Sequence, residues 1–390
     1  MMCWRRWGKT MNKPVDLQQV LTQFLPTYAA HQRVDGRRRQ VLSRLTQCRT
    51  AALGGFALHC AGCDERRVLY HACRVGHCPK CQQRASRQWS ARQAASLLPV
   101  PYFHLVFTLP HTLNGWVQVH EAELYQVLFQ AVWTTLNTFA RDARRGLHGQ
   151  LGMTAVMHTW SQTLTRHVHL HCLVPGGVLQ ADGRWRAARG TYLFPVKALS
   201  RHFRGTVVRA LRHAATQGKL RRVTREGEVD AVLTALMASE WVVYAKPCVS
   251  YTPAVVDYLA RYTHRIAISD PRIAAVDDHT VRFSYRDSRN ENAPRVMSLE
   301  GEEFIRRYLQ HILPKGLMRI RHYGFLANRC RRHALTQIRN ALQAPIQDVE
   351  PAVSPPFTGL PCSHCIGGWL KIVTELAPRR DLGSGRLAMR

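Results

Sequence analysis

Residues 167–174 read HVHLHCLV, and few local structures suit such a stretch. A β-strand sends successive side chains to opposite faces. On a strand, His167, His169 and His171 therefore share one face, and Val168, Leu170 and Cys172 occupy the other. Pro175, Gly176 and Gly177 then end the segment in a turn. Three imidazoles side by side need hydrogen-bonding partners. Spacing alone leaves two readings open. One is a half-buried strand with hydrated histidines. The other is a metal site in which the ring nitrogens converge on one ion.

The surrounding pattern mixes short strands with long helices. Residues 14–50 have helical spacing, with Leu17, Val20, Leu21 and Phe24 along one stripe, and Pro26 is expected to interrupt the run. A basic helix is expected over 84–98, before Pro99. PYFHLVFTLP (101–110) and GMTAVMHTW (152–160) read as strands. Leu124, Leu128, Val132, Leu136 and Phe139 mark a helix between them. Further helices are expected near 196–213, over 229–246, from Thr252 to about Thr263 and over 302–313, and further strands over 266–269 and 279–287. This mixture predicts an α+β domain built on an antiparallel sheet. The tail after about residue 345 is Pro-rich and reads as loose except around Cys362.

The chain has 390 residues and 12 cysteines. Cys60-x2-Cys63 and Cys78-x2-Cys81 are two knuckles able to supply four thiolates to a structural zinc. His71, Cys73 and His77 lie between them, so Cys73 or His77 is open as a replacement ligand or as part of a second site. Cys362-x2-Cys365, followed by Gly367-Gly368, has the form of half a knuckle whose partner half is absent. Paired cysteines in a long chain favour metal ligation in a reducing compartment over a disulfide framework.

Charge narrows the partners. Lys and Arg total 55 against 25 Asp and Glu, a formal charge of +30. Such an excess repels itself unless a polyanion compensates it, and nucleic acid is the expected partner. No apolar stretch is long enough to suggest a membrane span, and MMCWRRWGKT has no secretory h-region. A cytoplasmic, DNA-associated protein is expected. The sequence offers no convincing all-carboxylate nuclease set and no GxxxxGK[ST] loop.

DYLARYTHR (257–265) supplies a nucleophile. Tyr258 and Tyr262 are four residues apart, so on a helix they stand one turn apart on one face. A packed aromatic pair is the structural alternative. A tyrosine oxygen can attack a phosphodiester and hold a DNA end covalently. Arg261 and Arg265, with His264 between them, are candidates to clamp phosphates. Arg319, Arg321 and Arg329 are candidates to follow a DNA backbone, and Trp160, Trp185 and Tyr192 are open as base-stacking or core residues.

Over most of residues 40–335 the chain resembles transposases of the IS91 type, two-tyrosine members of the HUH endonuclease superfamily. The resemblance rests on His169-Leu170-His171 and Tyr258-x3-Tyr262, with HCPKC (77–81), VFTLP (106–110), HLHCLVPGG (169–177), YLARYTHRIAIS (258–269) and HYGFLANRCR (322–331) in support. It implies an HUH-like central antiparallel sheet with flanking helices, preceded by a small zinc-binding module. The motif histidines would lie on a central strand, with the tyrosine helix beside it. It also implies rolling-circle-type transposition. One tyrosine cleaves single-stranded DNA at a transposon end, forming a 5′-phosphotyrosine and a free 3′-OH, and the second takes the next 5′ end. The implied cofactors are Mg2+ or Mn2+ at His169 and His171, with His167 or His104 open as third ligand, and structural Zn2+ at the cysteine module. The implied partners are hairpin-bearing transposon ends, target DNA and host replication or helicase proteins. The expected organisation is 1–95 helical and zinc-binding, 96–275 catalytic, 276–345 a basic extension, and 346–390 a tail with a partial knuckle. A replication initiator, a relaxase and a catalytically inactive zinc-dependent DNA-binding protein are the alternatives.

Overall fold

The histidine segment is the middle strand of a five-stranded antiparallel sheet. The computed structural model describes residues 15–94, 96–142, 147–188, 193–222, 227–248, 267–287, 290–344 and 357–379. The chain enters through helices α1 (Leu17–His31) and α2 (Gly36–Thr46). The Asp16 and Asp35 carboxylates cap them by accepting from the backbone N–H groups of Gln19 and Arg38. Pro26 lies inside α1 and does not end it. Leu17, Val20, Leu21 and Phe24 before it and Tyr28 after it are all buried. Burial at roughly 1.5–3 kcal/mol per large apolar side chain outweighs the roughly 3 kcal/mol cost of one interior proline.

A hairpin of β1 (Gly55–Cys60) and β2 (Arg66–Tyr70) follows, then α3 (Pro79–Ala94). Helix α3 starts earlier than its charge pattern suggests, because Pro79 suits a first helical position. Strand β3 (Tyr102–Thr108), helices α4 (Asn114–Val119) and α5 (Glu121–Arg141), and strands β4 (Gly152–Trp160) and β5 (Arg166–Pro175) come next. A short ribbon of β6 (Gly177–Leu179) and β7 (Trp185–Ala187) leads to α6 (Val196–Thr216), α7 (Glu228–Ala238) and β8 (Val243–Cys248). Strands β9 (Ile273–Val276), β10 (Thr280–Asp287) and β11 (Ala293–Glu300) form a separate three-stranded sheet. The helix Gly301–Leu309, strand β12 (Ile320–Gly324), the helix Arg331–Ala341, and strands β13 (Gly359–Pro361) and β14 (Trp369–Leu376) complete the order.

The main sheet runs β12-β4-β5-β3-β8, antiparallel throughout. Strand alternation sends Val168, Leu170 and Cys172 into one hydrophobic core with Phe107 and Met157. Helices α5 and α6 complete that core with Leu124, Leu128, Val132, Phe203 and Val207. The histidines are left on the opposite face. The α+β architecture expected from the sequence is the one observed.

Three local expectations change. Residues 229–246 are not one helix. Helix α7 stops at Ala238, and the β-branched and aromatic run that follows pairs with the edge of β3. There Trp241 and Val243 are buried while Val242 and Tyr244 are exposed, a two-residue period. Ala267–Ser269 is not a strand, and Ile266 lies outside the described residues. The tail is not loose where it is described. Strand β14 pairs antiparallel with β1, from Gly55 opposite Leu376 to Cys60 opposite Leu370, giving the sheet order β13-β14-β1-β2. Among the described residues no helix is long and apolar enough to cross a membrane.

Candidate active site and cysteine centres

Antiparallel register brings a third imidazole to the motif pair. His158 on β4 stands directly opposite His169 on β5, and directly opposed residues share a face. The ligand nitrogens of His158, His169 and His171 lie within 4.8 Å of one another. His169 Nε2 and His171 Nε2 are 3.1 Å apart. All three side chains are buried. His158 is the member that the sequence reasoning missed. Its signal was present in the alternation of GMTAVMHTW, but it becomes readable only once the pairing register with β5 is known.

The two histidines offered as third ligand have other places. His167 is only half-buried, and its ring stacks on His111 with centroids 5.2 Å apart. Its backbone carbonyl accepts from His169 Nδ1 at 2.8 Å. A carbonyl cannot donate, so Nδ1 of His169 carries the proton and Nε2 keeps its lone pair toward the trio. His104 on β3 sits behind His171, Nε2 to Nδ1 at 2.9 Å, with the two rings stacked nearly parallel. With His171 donating from Nδ1 to His104, its own Nε2 carries the lone pair on the side of His169. Both residues thus contact the motif histidines from behind, His167 through its carbonyl and His104 through its ring.

Electrostatics keep these rings neutral. Burial, and then the nearby His167, hold His169 down at about 3. Burial, and then His158, hold His171 well below the ordinary histidine value. Burial alone holds His104 at about 4. Neutral imidazoles whose lone pairs converge are suited to a cation. Two cis ligands on an octahedral ion at roughly 2.1 Å are about 3 Å apart, close to the separation seen between His169 and His171.

The proposed DNA-contact and nucleophilic residues divide into two groups. Tyr258, Arg261, Tyr262, His264 and Arg265 lie outside the described residues, as does Tyr192. Arg329 is exposed. Arg321 is engaged internally: it donates to Gln126 and to the Met318 carbonyl, and its guanidinium lies 4.0 Å from the Phe129 ring centroid. Burial lowers Arg319 to about 10. Trp160 stacks on His158 at 4.4 Å, beside the trio, and Trp185 packs edge-on against Phe325.

Eight of the cysteines form two groups of four, and these do not follow the expected set. Cys60, Cys63, Cys78 and Cys81 do not converge on one point. Cys78 and Cys81 join Cys48 and Cys73, while Cys60 and Cys63 join Cys362 and Cys365. The physical reason is chain placement. Cys48 follows the end of α2, and Cys78 and Cys81 stand at the start of α3, whereas Cys60 closes β1 and faces the strand partner brought by the tail. In the first group Cys78 and Cys48 are 3.6 Å apart, Cys73 and Cys81 3.6 Å, and Cys48 and Cys81 3.7 Å, and all four sulfurs lie within 4.8 Å of one another. Tetrahedral thiolates at roughly 2.3 Å from zinc are about 3.8 Å apart. Cys48 is held far down by hydrogen bonds from Cys73 and Cys78 and so favours the thiolate a metal needs. His77 is outside the group. Its Nε2 accepts from the Leu313 N–H at 3.1 Å, and burial lowers it to about 4.

An antiparallel sheet carrying a histidine cluster on its central strand and the strand beside it, in a chain with cysteine-rich centres, defines an HUH-like nuclease architecture with a zinc module. The comparisons with known proteins agree. A family model described as "Putative transposase" matches residues 152–334, and one described as "Transposase zinc-binding domain" matches residues 20–109. Cys362 and Cys365 fall outside both ranges. The chain is 42% identical over 321 residues to "Putative transposase y4qJ" of Sinorhizobium fredii, covering 80% of each chain. It is 29% identical over 318 residues to "Transposase for insertion sequence element IS801" of Pseudomonas savastanoi pv. phaseolicola, covering 78% of this chain and 74% of that one. No solved structure matches the chain. The chain belongs to the IS91-type family of two-tyrosine HUH transposases.

Proposed function

We propose that the chain nicks and rejoins single-stranded DNA at the ends of its mobile element, using Tyr258 and Tyr262 as nucleophiles beside a divalent cation held by His158, His169 and His171. The observation that carries this reading is the buried imidazole trio shared by the central strand β5 and its neighbour β4, in a chain that also contains Tyr258-x3-Tyr262. Bound there, Mg2+ or Mn2+ supplies Lewis-acid polarisation of the scissile phosphate. The tyrosine hydroxyl gives up its proton as its oxygen bonds to phosphorus and the bond from phosphorus to the 3′ oxygen breaks. The 3′ oxygen takes up a proton and leaves as a free hydroxyl, and the phosphodiester energy is kept in the 5′-phosphotyrosine. Attack by a 3′-OH then releases the tyrosine and joins the strands. The second tyrosine lets a second 5′ end be held at the same time.

His104 and the His167 carbonyl position the ring nitrogens in this scheme. Arg261, His264 and Arg265 orient the strand, and Arg329 extends the basic track for the DNA backbone. Cys48, Cys73, Cys78 and Cys81 hold a structural zinc that fixes α2 to α3. Duplex unwinding comes from a host helicase, since the sequence has no GxxxxGK[ST] loop. The test is cleavage of end-labelled single-stranded DNA from the element's termini. Wild-type protein should nick only with Mn2+ or Mg2+. A His169→Ala, His171→Ala double variant should still bind the DNA but not nick it. Metal-dependent nicking by that variant would refute the site.

A further inference from the structure

We propose that Cys60, Cys63, Cys362 and Cys365 form a second zinc site, which staples the C-terminal β13–β14 hairpin to the N-terminal β1–β2 hairpin. Two half-sites meet there. Cys60 and Cys63 lie at the turn of β1–β2, and Cys362 and Cys365 at the turn of β13–β14. The antiparallel pairing of β1 with β14 places Cys60 opposite Leu370 and brings the turns together. Cys60 Sγ is 3.6 Å from Cys365 Sγ, and Cys63 Sγ is 3.6 Å from Cys362 Sγ. A disulfide requires about 2.05 Å, whereas thiolates sharing one tetrahedral zinc are about 3.8 Å apart. All four sulfurs lie within 4.8 Å of one another.

The backbone is shaped around the sulfurs. The His364 N–H points to Cys362 Sγ at 3.4 Å, and the Cys362 N–H donates to the Gly368 carbonyl at 2.7 Å. On the other knuckle the Asp64 N–H donates to the Cys60 carbonyl at 2.9 Å. Gly368 is required by close approach. A Cβ there would lie 2.3 Å from Cys365 Sγ and 2.9 Å from Cys60 Sγ. The hydrophobic support is slight. Only Leu58, Cys60 and Leu370 are buried in this cluster, and Val68, Leu69, Trp369 and Val373 of the same sheet are exposed. A four-stranded sheet with so small a core is the kind that a metal completes. Four thiolates in this geometry select zinc or iron. Zinc is the assignment, matching the ligand chemistry of the first centre.

Two measurements on the full-length protein test this site. Metal analysis of protein purified under reducing conditions should give two zinc ions per chain. Cys362→Ser with Cys365→Ser should leave one, Cys73→Ser with Cys81→Ser should also leave one, and Cys365→His should retain two. One zinc in the wild type, a count unchanged by the first pair, or iron in place of zinc would overturn the assignment. The second measurement needs no variant. Cys63 is exposed, so burial does not shield it from alkylation. In the zinc-loaded protein Cys63, Cys362 and Cys365 should label at least tenfold more slowly than after chelation. Equal labelling with and without chelator at these three positions would refute the site. Chelator-dependent protection confined to Cys48, Cys73, Cys78 and Cys81 would do the same while leaving the first centre intact.

Discussion

His104 contributes no nitrogen to the imidazole trio, yet its Nε2 lies 2.9 Å from Nδ1 of His171. Both side chains are buried. In the proposed scheme His104 accepts a hydrogen bond from Nδ1–H of His171, which leaves the Nε2 lone pair of His171 toward His158 and His169. His104→Leu keeps an apolar body of similar reach and removes the acceptor. The Nδ1–H of His171 then has lost its partner in a buried site, and the ring is freer to turn. Loss of such an orienting partner typically costs 10–100-fold in metal affinity, about 1.4–2.7 kcal/mol. Mn2+ titration of single-stranded nicking should therefore show the half-saturating concentration raised by roughly that factor. The rate at saturating metal should change much less. His104→Gln restores an acceptor and should recover most of the loss. An unchanged metal midpoint in His104→Leu would refute the positioning role. Loss of all metal binding would make His104 a ligand and not its support.

Two further predictions concern stability. His311 is buried, with Nδ1 near Thr159 Oγ1 at 3.2 Å and Nε2 near the Leu164 carbonyl at 3.1 Å, and burial lowers it from 6.5 to about 4. The unfolded chain therefore binds the proton first as pH falls, and stability is lost between about pH 6.5 and pH 4; this one group should make the protein about 2 kcal/mol less stable at pH 5 than at pH 7. Urea melts of His311→Gln should show a correspondingly shallower loss, and an identical pH slope would contradict the argument. Gly324 has φ +60, and a Cβ there would lie 1.7 Å from the Leu151 carbonyl oxygen. Gly324→Ala should therefore cost more than about 1 kcal/mol and loosen the β12 edge, measurable as a lower thermal midpoint. No change in the midpoint would show that the backbone relaxes freely.

The same features show how far the sequence could be read. The shared face of His169 and His171 was legible because two-residue alternation is local to one strand. His158 was not, because its place depends on which strand pairs with β5 and in what register. The helical stripe of α5 was legible from Leu124 to Phe139, all on one face. The run around Trp241 was ambiguous, since an apolar stretch after a helix carries no mark of where the helix ends. The CxxC spacing showed that zinc was involved but not which knuckles meet. Cys63 and Cys362 are separated by 299 positions, and nothing in either turn names its partner. Counting offered one overlooked clue. Three knuckles with Cys48 and Cys73 make eight thiols, two complete tetrahedral sets.

The most direct test of the central claim is covalent capture. Labelled single-stranded DNA from the element's ends, mixed with purified protein and Mn2+, should give a protein–DNA band that survives denaturing electrophoresis. That band should require the metal and disappear in the Tyr258→Phe, Tyr262→Phe double variant, which should still bind the same DNA. A covalent band that persists in the double variant would contradict the tyrosine chemistry.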